Sequence, residues 1–287
     1  MSSYRIITDV TADIPSSMAP EVTFLPMPVT IAEKTYLYGS SDTITAEEFY
    51  ALQRSGEFAS TAQITPTMYM DEFTPYLEQG EDVLYLCFSS GLSGCWGSVQ
   101  VAAQTLQQAH PSRRIICLDT LCASIGEGFL VMEAVKKQRE GFSLDELAAW
   151  VERARLSVCH WFTVDGFTHL RHGGRVSPAT AAIGSVLSIK PLLHVDEEGK
   201  LLVAEKPRGV KAAMNAQLKR MKTGWSPDLG KQVLIGHGDC LKRAEELGAK
   251  VAEAFPEAEI AYSVIGPVIG CHTGPGMLAL VYWGENR

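Results

Sequence analysis

The chain has 287 residues, of which 46% are hydrophobic and 20% charged, and its formal net charge is −8. The composition is typical of a folded globular protein, and the length favours two domains because single hydrophobic cores rarely grow beyond about 250–300 residues. The acidic balance argues against nucleic-acid binding and against electrostatic docking on anionic lipid, since both need a basic surface. An anionic ligand would therefore need a local pocket of cations or N–H groups.

The cysteines indicate the compartment. Their number, seven, is odd, and no two of them form a Cys-x-x-Cys pair, which fits a reducing compartment better than a disulfide framework. The N-terminus has no basic segment followed by an apolar one, and no apolar run reaches the length of a membrane span. We therefore expect a cytoplasmic protein whose thiols are buried and structural.

In chain order, the first half of the sequence alternates predicted strands with predicted helices. Residues 4–8 form a short apolar run that predicts a strand, and residues 22–30 form a second extended run. Thr45 and Glu48 have the spacing of a capping box, and Thr65 followed by Pro66 is typical of a helix N-terminus. Both patterns predict the start of a helix from side chains only a few positions apart.

Two continuous apolar runs, at residues 82–88 and 114–118, have the pattern of strands that are buried on both faces. A predicted helix follows each run, and Ser143 with Glu146 predicts the start of one more. Repeated units of strand, loop and helix imply a parallel sheet with helices on its faces.

The second half has a different pattern. Residues 192–195 and 200–203 flank a polar turn, which predicts a β-hairpin. The other predicted elements are strands at residues 160–164, 232–236, 260–264 and 277–283, helices at 167–170, 210–221 and 241–254, and a Gly/Pro-rich loop at 265–276. We therefore predict an α/β protein with a parallel-sheet domain over residues 1–156 and an α+β domain over residues 157–287.

Three loops that follow predicted strands of the first half are rich in hydroxyl groups, at residues 60–65, 89–94 and 119–124. Ligands of open parallel sheets bind at the loops after the strand carboxyl ends. The first two loops also precede predicted helices, whose N-termini offer free N–H groups to an anion. A carboxylate or phosphate could bind there without a lysine, although helix capping alone also explains any one of these residues.

The second half contributes further candidates for a ligand site. Arg175 follows a pair of glycines, and Arg208 precedes a predicted helix. His272 and Thr273 lie in the Gly/Pro-rich loop, whose glycines allow close approach by a ligand or by another loop. A single histidine is usually structural, so both a structural and a functional role remain open for His272.

Several common catalytic motifs are absent from the sequence. It contains no phosphate-binding P-loop, no dinucleotide fingerprint at the first helix and no His-Glu-x-x-His metal motif. Ser93 lies in Gly-Leu-Ser-Gly and not in the Gly-x-Ser-x-Gly elbow of serine hydrolases. We therefore expect no metal, no cofactor and no nucleotide site in this chain.

Five segments of the sequence, in order, resemble the DegV family and together span nearly the whole chain. They are Thr8-Asp-Val-Thr-Ala-Asp13, Ser60-Thr-Ala-Gln-Ile-Thr-Pro66, Ser89-Ser-Gly-Leu-Ser-Gly94, Leu170-Arg-His-Gly-Gly-Arg175 with Ile189-Lys-Pro191, and the loop 265–276. The resemblance implies a two-domain DegV-like fold with one long-chain fatty acid buried between the domains. It also implies an acyl-binding subunit without its own catalytic residues, whose bound carboxylate a separate ATP-dependent kinase subunit phosphorylates to an acyl phosphate.

The resemblance also implies roles for individual residues. Thr61 and Ser93 match the positions that bind the fatty acid carboxylate in the family. Four further residues would lie at the headgroup or face the partner: Arg175, Arg208, His272 and Thr273.

The chain departs from the family pattern at several positions beside these residues. Residues 62–64 read Ala-Gln-Ile where many relatives have Ser-Gln-Pro, and Cys95 and Cys271 replace common threonines. These departures bear on acyl-chain preference more than on binding.

Helices after residues 66 and 124 are expected to form the wall of an acyl tunnel. The stripe Ile125, Phe129 and Met132 is a candidate lining, with ordinary core packing as the alternative.

Two other functions remain open from the sequence. The chain could be an acyl hydrolase with Ser93 as nucleophile and His272 as base, although no third residue is evident to orient the histidine. It could also carry or sense another amphiphile.

Overall fold

Two main β-sheets and a small third sheet organise the protein, for which a computed structural model describes residues 3–41, 43–177, 188–285 and 287. The strands are β1 (Tyr4–Asp9), β2 (Thr23–Leu25), β3 (Met27–Ile31), β4 (Lys34–Tyr38), β5 (Ala59–Thr61), β6 (Asp82–Cys87), β7 (Ile115–Asp119), β8 (Val158–Thr163), β9 (Leu192–Val195), β10 (Leu201–Glu205), β11 (Gln232–His237), β12 (Glu259–Val264) and β13 (Leu278–Trp283).

The α-helices of the described residues connect these strands. They are α1 (Ala46–Arg54), α2 (Pro66–Glu78), α3 (Cys95–Ala109), α4 (Ile125–Arg139), α5 (Leu144–Ala154), α6 (Thr168–His172), α7 (Val210–Gly224), α8 (Leu241–Ala254) and α9 (Pro267–Thr273). Three short 3₁₀ helices add Val10–Ala12, Ser16–Met18 and Arg155–Ser157.

The first sheet has the strand order β2-β1-β6-β7 with all pairs parallel, which confirms the predicted parallel sheet. All six residues of β6 are buried, as the continuous apolar run predicts. Alternate residues of a strand point to opposite faces. Leu84 accordingly packs in the core that contains α4 and α5, whereas Val83 packs in the core that contains α2 and α3.

The small sheet, of order β4-β3-β5, is antiparallel and was predicted only in part. The predicted extended run at residues 22–30 divides into β2 and β3, and a hairpin adds β4. Its two turn residues, Ala32 and Glu33, have φ values of 48° and 62°. Positive φ at both central residues is the geometry of a type I′ hairpin turn, which usually contains Asn or Gly. The absence of those residues explains why the hairpin was missed.

The second sheet has the order β10-β9-β8-β13-β11-β12 and is mixed. Its pairs are antiparallel except for β11 with β12, among the strands that the structure describes. The predicted hairpin is confirmed as β9 and β10. An antiparallel sheet with one parallel β-α-β unit agrees with the predicted α+β character of the second half.

The predicted helix starts are confirmed by hydrogen bonds. Thr45 and Ser143 each form a capping box with the glutamate three positions later, and the Thr65 hydroxyl accepts from the Met68 N–H. The predicted loop at residues 265–276 is different, because it contains the helix α9. Pro267 occupies the first turn of that helix, where a missing N–H costs nothing.

Helix α4 lies between the two main sheets, contacting β6 on one side and β8, β11 and β13 on the other. One hydrophobic core therefore includes residues from both halves of the chain, and the Phe129 and Trp283 rings within it are 5.0 Å apart. The predicted domain boundary falls at the Arg155–Ser157 turn, directly before β8. Because the core is continuous across this point, the division at residue 156 stays a prediction.

Candidate functional site

A cavity lies where the carboxyl edge of the first sheet meets the second sheet, and we call it the inter-sheet cavity. Most of the wall is apolar and comes from both halves of the chain, for example Phe88, Leu92, Phe162, Val195, Leu201 and Ala279.

Strands β8 and β13 supply one wall of the cavity, because alternate side chains of each strand point to the same face of the sheet. His160 pairs with Val281, and Phe162 pairs with Ala279, in the antiparallel register of the two strands. Residues two apart in a strand share one face, so these four side chains point the same way. All four line the inter-sheet cavity.

Helix α4 contributes to the wall only at its start, which corrects the predicted stripe. Ile125 lines the inter-sheet cavity, but Phe129 packs on Trp283 and Met132 faces a surface groove between α4 and β12. A helix rises 1.5 Å per residue, so the later positions lie roughly 6 and 10 Å further along the axis. The alternative, core packing, is therefore the right interpretation for Phe129.

Helix α2 was also expected to line the tunnel, and that expectation is wrong. Among the described residues that line the inter-sheet cavity, none belongs to α2. This helix packs on α3 and β6 instead, and its buried Tyr69 and Phe73 fill the core on the far face of the first sheet.

One end of the inter-sheet cavity is polar. Thr61 Oγ1 lies 3.0 Å from His272 Nε2, although the two residues are 211 positions apart. Thr61 is the last residue of β5, and His272 lies in the last turn of α9. Ser93 and Arg175 line the same cavity, and we call these four residues the donor cluster.

Ser93 lies in the loop before α3 and directly precedes Gly94, the N-cap residue of that helix. Gly94 has no side chain that could cap the helix. Its hydroxyl oxygen accepts from the Cys95 N–H at 3.2 Å. The hydroxyl proton therefore remains available to an acceptor in the cavity. The N-terminus of α3, a helix of 15 residues, adds a partial positive charge beside it.

Arg175 follows α6 and is half-buried. Its guanidinium donates to the Gly173 carbonyl, but it forms no ion pair with a carboxylate among the residues that the structure describes. Desolvation lowers the pKa of the guanidinium, yet arginine stays protonated in proteins. A partly buried cation without a carboxylate favours an anionic ligand.

His272 is neutral at neutral pH, because burial and the nearby positive charge of Arg175 lower its pKa to about 3. Its Nδ1 is buried and has no hydrogen-bond partner within the described part of the chain. Gly173 packs against this atom, and a Cβ at residue 173 would lie 2.1 Å from it. With its proton on Nε2, the ring donates to Thr61 and leaves the threonine hydroxyl free to donate.

The other predicted site residues lie in different places. Thr273 lines the inter-sheet cavity, but its hydroxyl donates to the Ile269 carbonyl of its own helix at 3.0 Å. Arg208 is exposed, forms a backbone bridge with Ile189 and is not among the cavity-lining residues of the described chain. Its predicted role toward a partner stays a prediction.

The arrangement of a hydrolase is not assembled. Ser93 and His272 share no hydrogen bond in the described residues, since Nε2 of the histidine is directed at Thr61. A general base needs a nucleophile within hydrogen-bond reach and a group that orients its ring.

Sequence reasoning missed a second polar group, which lies beside the cavity. Asp9, Asp13 and Glu127 are almost fully buried, and we call them the acidic cluster. Asp13 accepts from the Ser124 hydroxyl at 2.6 Å and from the Gly266 N–H at 2.8 Å. Burial raises the pKa of all three carboxyls. Asp9 and Asp13 belong to the segment at residues 8–13 that resembles the family. That resemblance was the sequence signal from which these two residues could have been found.

Two threonines connect the acidic cluster internally. The Thr11 hydroxyl lies within hydrogen-bond distance of both Asp9 and Glu127, and it also lines the inter-sheet cavity. The Thr8 hydroxyl lies 2.9 Å from a carboxyl oxygen of Glu127 and 2.8 Å from the Leu86 carbonyl oxygen. A hydroxyl has one proton, so it cannot donate to two acceptors at once. At least one carboxyl of the cluster must therefore be protonated to complete these bonds.

The remaining chemistry-bearing groups do not form a further site. None of the seven cysteines forms a disulfide, five of them are buried, and burial raises the pKa of every thiol. In the described residues, no group of three His, Cys, Asp or Glu side chains is placed to hold a metal ion. No helix of that part of the chain is long and apolar enough to cross a bilayer.

Fold and site together define a class: an α/β protein of two main sheets that enclose an apolar cavity with a cationic, donor-rich end. The family model described as "Uncharacterised protein, DegV family" matches residues 3–285. The chain belongs to the DegV family.

Known relatives resemble the protein over their whole length. A DegV domain-containing protein of Clostridium perfringens is 36% identical and covers 100% of this chain and 99% of its own. A solved DegV family protein of Thermus thermophilus, described by its fatty acid binding, is 29% identical with a TM-score of 0.86, over 98% of this chain and 99% of its own. The Streptococcus pneumoniae fatty acid kinase B3 protein, loaded with linoleic acid, has a TM-score of 0.87 over 99% of this chain and 100% of its own; at 21% identity that likeness is one of fold.

Proposed function

We propose that this protein binds one long-chain fatty acid in the inter-sheet cavity and presents its carboxylate to a separate ATP-dependent kinase subunit. The observation that carries the proposal is the half-buried Arg175, which faces an apolar cavity without a carboxylate partner among the described residues. A fatty acid supplies both an apolar chain for the cavity and an anion for its cationic end.

The energetics favour tight binding of such a ligand. Each buried CH₂ group contributes about 0.8 kcal/mol, so a tail of roughly fifteen carbons offers on the order of 10 kcal/mol before entropy costs. A buried carboxylate would be costly without partners. Thr61, Ser93 and Arg175 offer charge-assisted hydrogen bonds that offset this cost.

The kinase step needs a second protein. The sequence has no nucleotide-binding motif, and the donor cluster binds a carboxylate without a group to activate it. A kinase that transfers a phosphoryl group to the bound carboxylate would form an acyl phosphate. The fatty acid binding described for the Thermus protein supports the ligand, and the family resemblance supports the kinase partnership. A cytoplasmic location is part of this proposal.

Native mass spectrometry of the purified protein, with lipid extraction of the same sample, tests the ligand. We expect one fatty acid per chain, and stoichiometric uptake of palmitic acid after delipidation. An empty protein that takes up neither palmitic nor stearic acid would contradict the proposal, and a different bound lipid would indicate a carrier of another amphiphile.

The kinase step is tested by adding ATP and a bacterial fatty acid kinase subunit to the loaded protein and trapping acyl phosphate with hydroxylamine. We expect hydroxamate only when both proteins and ATP are present. Hydroxamate from the kinase and free fatty acid alone would remove the need for presentation.

A further inference from the structure

Phe58 is an exposed aromatic side chain whose ring is held in place by two histidines. It lies directly before β5 and is 46% exposed. Its ring stacks on the His172 ring, with the centroids 4.6 Å apart, and lies 5.4 Å from the His169 ring. Both histidines belong to α6, a distant part of the sequence. We call these three residues the aromatic plate.

The fixed position of the Phe58 ring distinguishes it from an ordinary exposed apolar side chain. Single apolar side chains at a surface are common and need no explanation. A ring that two other rings already hold in place loses little conformational entropy when a partner covers it, so it is pre-organised for binding.

The aromatic plate lies beside the donor cluster and outside the cavity. Phe58 is three residues before Thr61. His172 contributes to the lowered pKa of His272, and the next residue, Gly173, packs on the His272 ring. Among the described residues that line the inter-sheet cavity, none belongs to the plate. The plate is therefore a surface next to the polar end of the cavity.

The polar end is also the part of the cavity that reaches the protein surface. All four residues of the donor cluster are partly exposed. Wall residues such as Phe88, Phe162, Val195 and Ala279 are buried. A carboxylate at the donor cluster is therefore reached from the surface that the aromatic plate borders.

Phosphorylation of such a carboxylate requires close contact on this surface. The carboxylate oxygen and the phosphorus atom must come within about 3–3.5 Å of each other. The kinase must therefore bring its bound ATP over the donor cluster and cover the residues around it. Arg171 is exposed beside His172, and Arg175 lies in the donor cluster, so cations meet the anionic phosphates.

We propose that the aromatic plate is the anchor on which the kinase subunit docks, with the Phe58 ring inserted into an apolar pocket of the kinase. This inference rests on the proposed function and names the contact through which the kinase recognises the loaded protein. Aromatic side chains surrounded by polar residues are the usual anchors of protein interfaces. A second copy of the chain on the same surface would instead block access to the carboxylate.

The test measures hydroxamate formation with ATP and a bacterial fatty acid kinase subunit, with the palmitate-loaded protein as the varied substrate. We expect Phe58→Ala to raise the KM for the loaded protein about tenfold and to leave kcat nearly unchanged, because the ring acts in docking and not in phosphoryl transfer. Phe58→Trp keeps an aromatic surface, so its KM should stay close to that of the wild type.

Leu229→Ala is the matched control for loss of an exposed apolar side chain. Leu229 is 51% exposed and lies in the turn that begins at Ser226, whose N–H donates to the Trp283 carbonyl at the end of β13 away from α9. We expect wild-type kinetics from this variant. Palmitic acid binding by Phe58→Ala, measured by isothermal titration calorimetry, should equal that of the wild type, because the ring lies outside the cavity lining.

The outcomes separate this inference from the proposed function. An unchanged KM in Phe58→Ala, or an equal increase in Leu229→Ala, overturns the docking surface and leaves the fatty acid site intact. Weaker palmitic acid binding by Phe58→Ala would place the ring in the ligand site and overturn its docking role. If the loaded wild-type protein yields no hydroxamate, the proposed kinase step fails, and the docking surface fails with it.

Discussion

The acidic cluster and the donor cluster are two buried polar groups beside one cavity, and they differ in how far they satisfy themselves. Every carboxyl oxygen of Asp9, Asp13 and Glu127 lies within hydrogen-bond distance of a hydroxyl or a backbone N–H. In the donor cluster, the Arg175 guanidinium donates to the Gly173 carbonyl and has no carboxylate partner among the described residues.

The difference separates a structural group from a binding group. A buried polar group whose hydrogen bonds are all made within the protein stabilises the fold. It gains no further hydrogen bond from water or from a ligand. A group with surplus donors in an apolar cavity is completed only by an acceptor from outside. Four predictions, from the largest expected effect to the smallest, test this contrast.

Asp13→Ala should lower the free energy of unfolding by about 3 kcal/mol, measured by urea denaturation. The change leaves two buried donors, the Ser124 hydroxyl and the Gly266 N–H, without their acceptor. Asp13 also has φ of 50°, a conformation that Asn tolerates better than Ala, so Asp13→Asn should cost less. The control is Asp145→Ala, which breaks an exposed ion pair with Arg114. Equal effects of Asp13→Ala and the control would contradict a structural role.

Arg175→Ala should weaken palmitic acid binding by about 10- to 100-fold, since it removes a charge-assisted hydrogen bond from the ligand. Its unfolding free energy should change little, because no carboxylate of the described residues pairs with it. Arg208→Ala is the control, because Arg208 is exposed outside the cavity lining. Isothermal titration calorimetry of the delipidated variants measures their affinities for palmitic acid. An equal loss of affinity in Arg175→Ala and Arg208→Ala would contradict a role of Arg175 in binding the carboxylate.

His272 should make unfolding pH-dependent between its unfolded pKa of about 6.5 and its folded pKa of about 3. Below pH 6.5 the unfolded chain takes up a proton that the folded ring refuses, so stability is lost as pH falls. We expect a loss of about 1 to 2 kcal/mol by pH 5 that is absent in His272→Gln. The acidic cluster acts in the opposite direction, since raised folded pKa values favour the fold at low pH. Parallel pH profiles of wild type and variant would refute this assignment.

Thr61→Val should weaken palmitic acid binding by roughly fivefold, because the variant keeps the shape of the side chain and loses its hydroxyl. Thr30→Val, on the neighbouring strand β3, is the control, since that hydroxyl pairs with Thr35 at the surface. Binding by Thr61→Val that equals the control would show that Arg175 and Ser93 hold the carboxylate without Thr61.

The predicted site residues that the structure places in one cavity are those matched by the ordered resemblance, whereas the polar residues that sequence reasoning missed are revealed by packing. Thr61, Ser93, Arg175, His272 and Thr273 all line one cavity. Composition alone did not separate His272 from an ordinary core histidine. His160 and Glu127 had no sequence pattern of their own, because a polar side chain among apolar residues becomes informative only when its burial is known. Asp9 and Asp13 had only the family-like segment at residues 8–13 as a signal.

Errors in the predicted fold have a common physical origin. The hairpin turn at Ala32 and Glu33 adopts positive φ without the usual Asn or Gly, and residues 267–273 form a helix inside a Gly-rich segment. In both places tertiary packing outweighs local preference. The stripe on α4 was misassigned because periodicity shows which face is apolar and not what covers it.

The sequence by itself determined the local structure: the capping boxes at Thr45 and Ser143, the buried strand β6 and the change from a parallel to a mixed sheet. These features depend on residues a few positions apart, so they can be predicted without knowledge of the tertiary structure. Only the tertiary structure decided that Thr61 meets His272 across 211 positions and that α4 lies between the sheets. Such contacts depend on how two amphipathic layers pack, and many packings satisfy the same pattern of apolar residues.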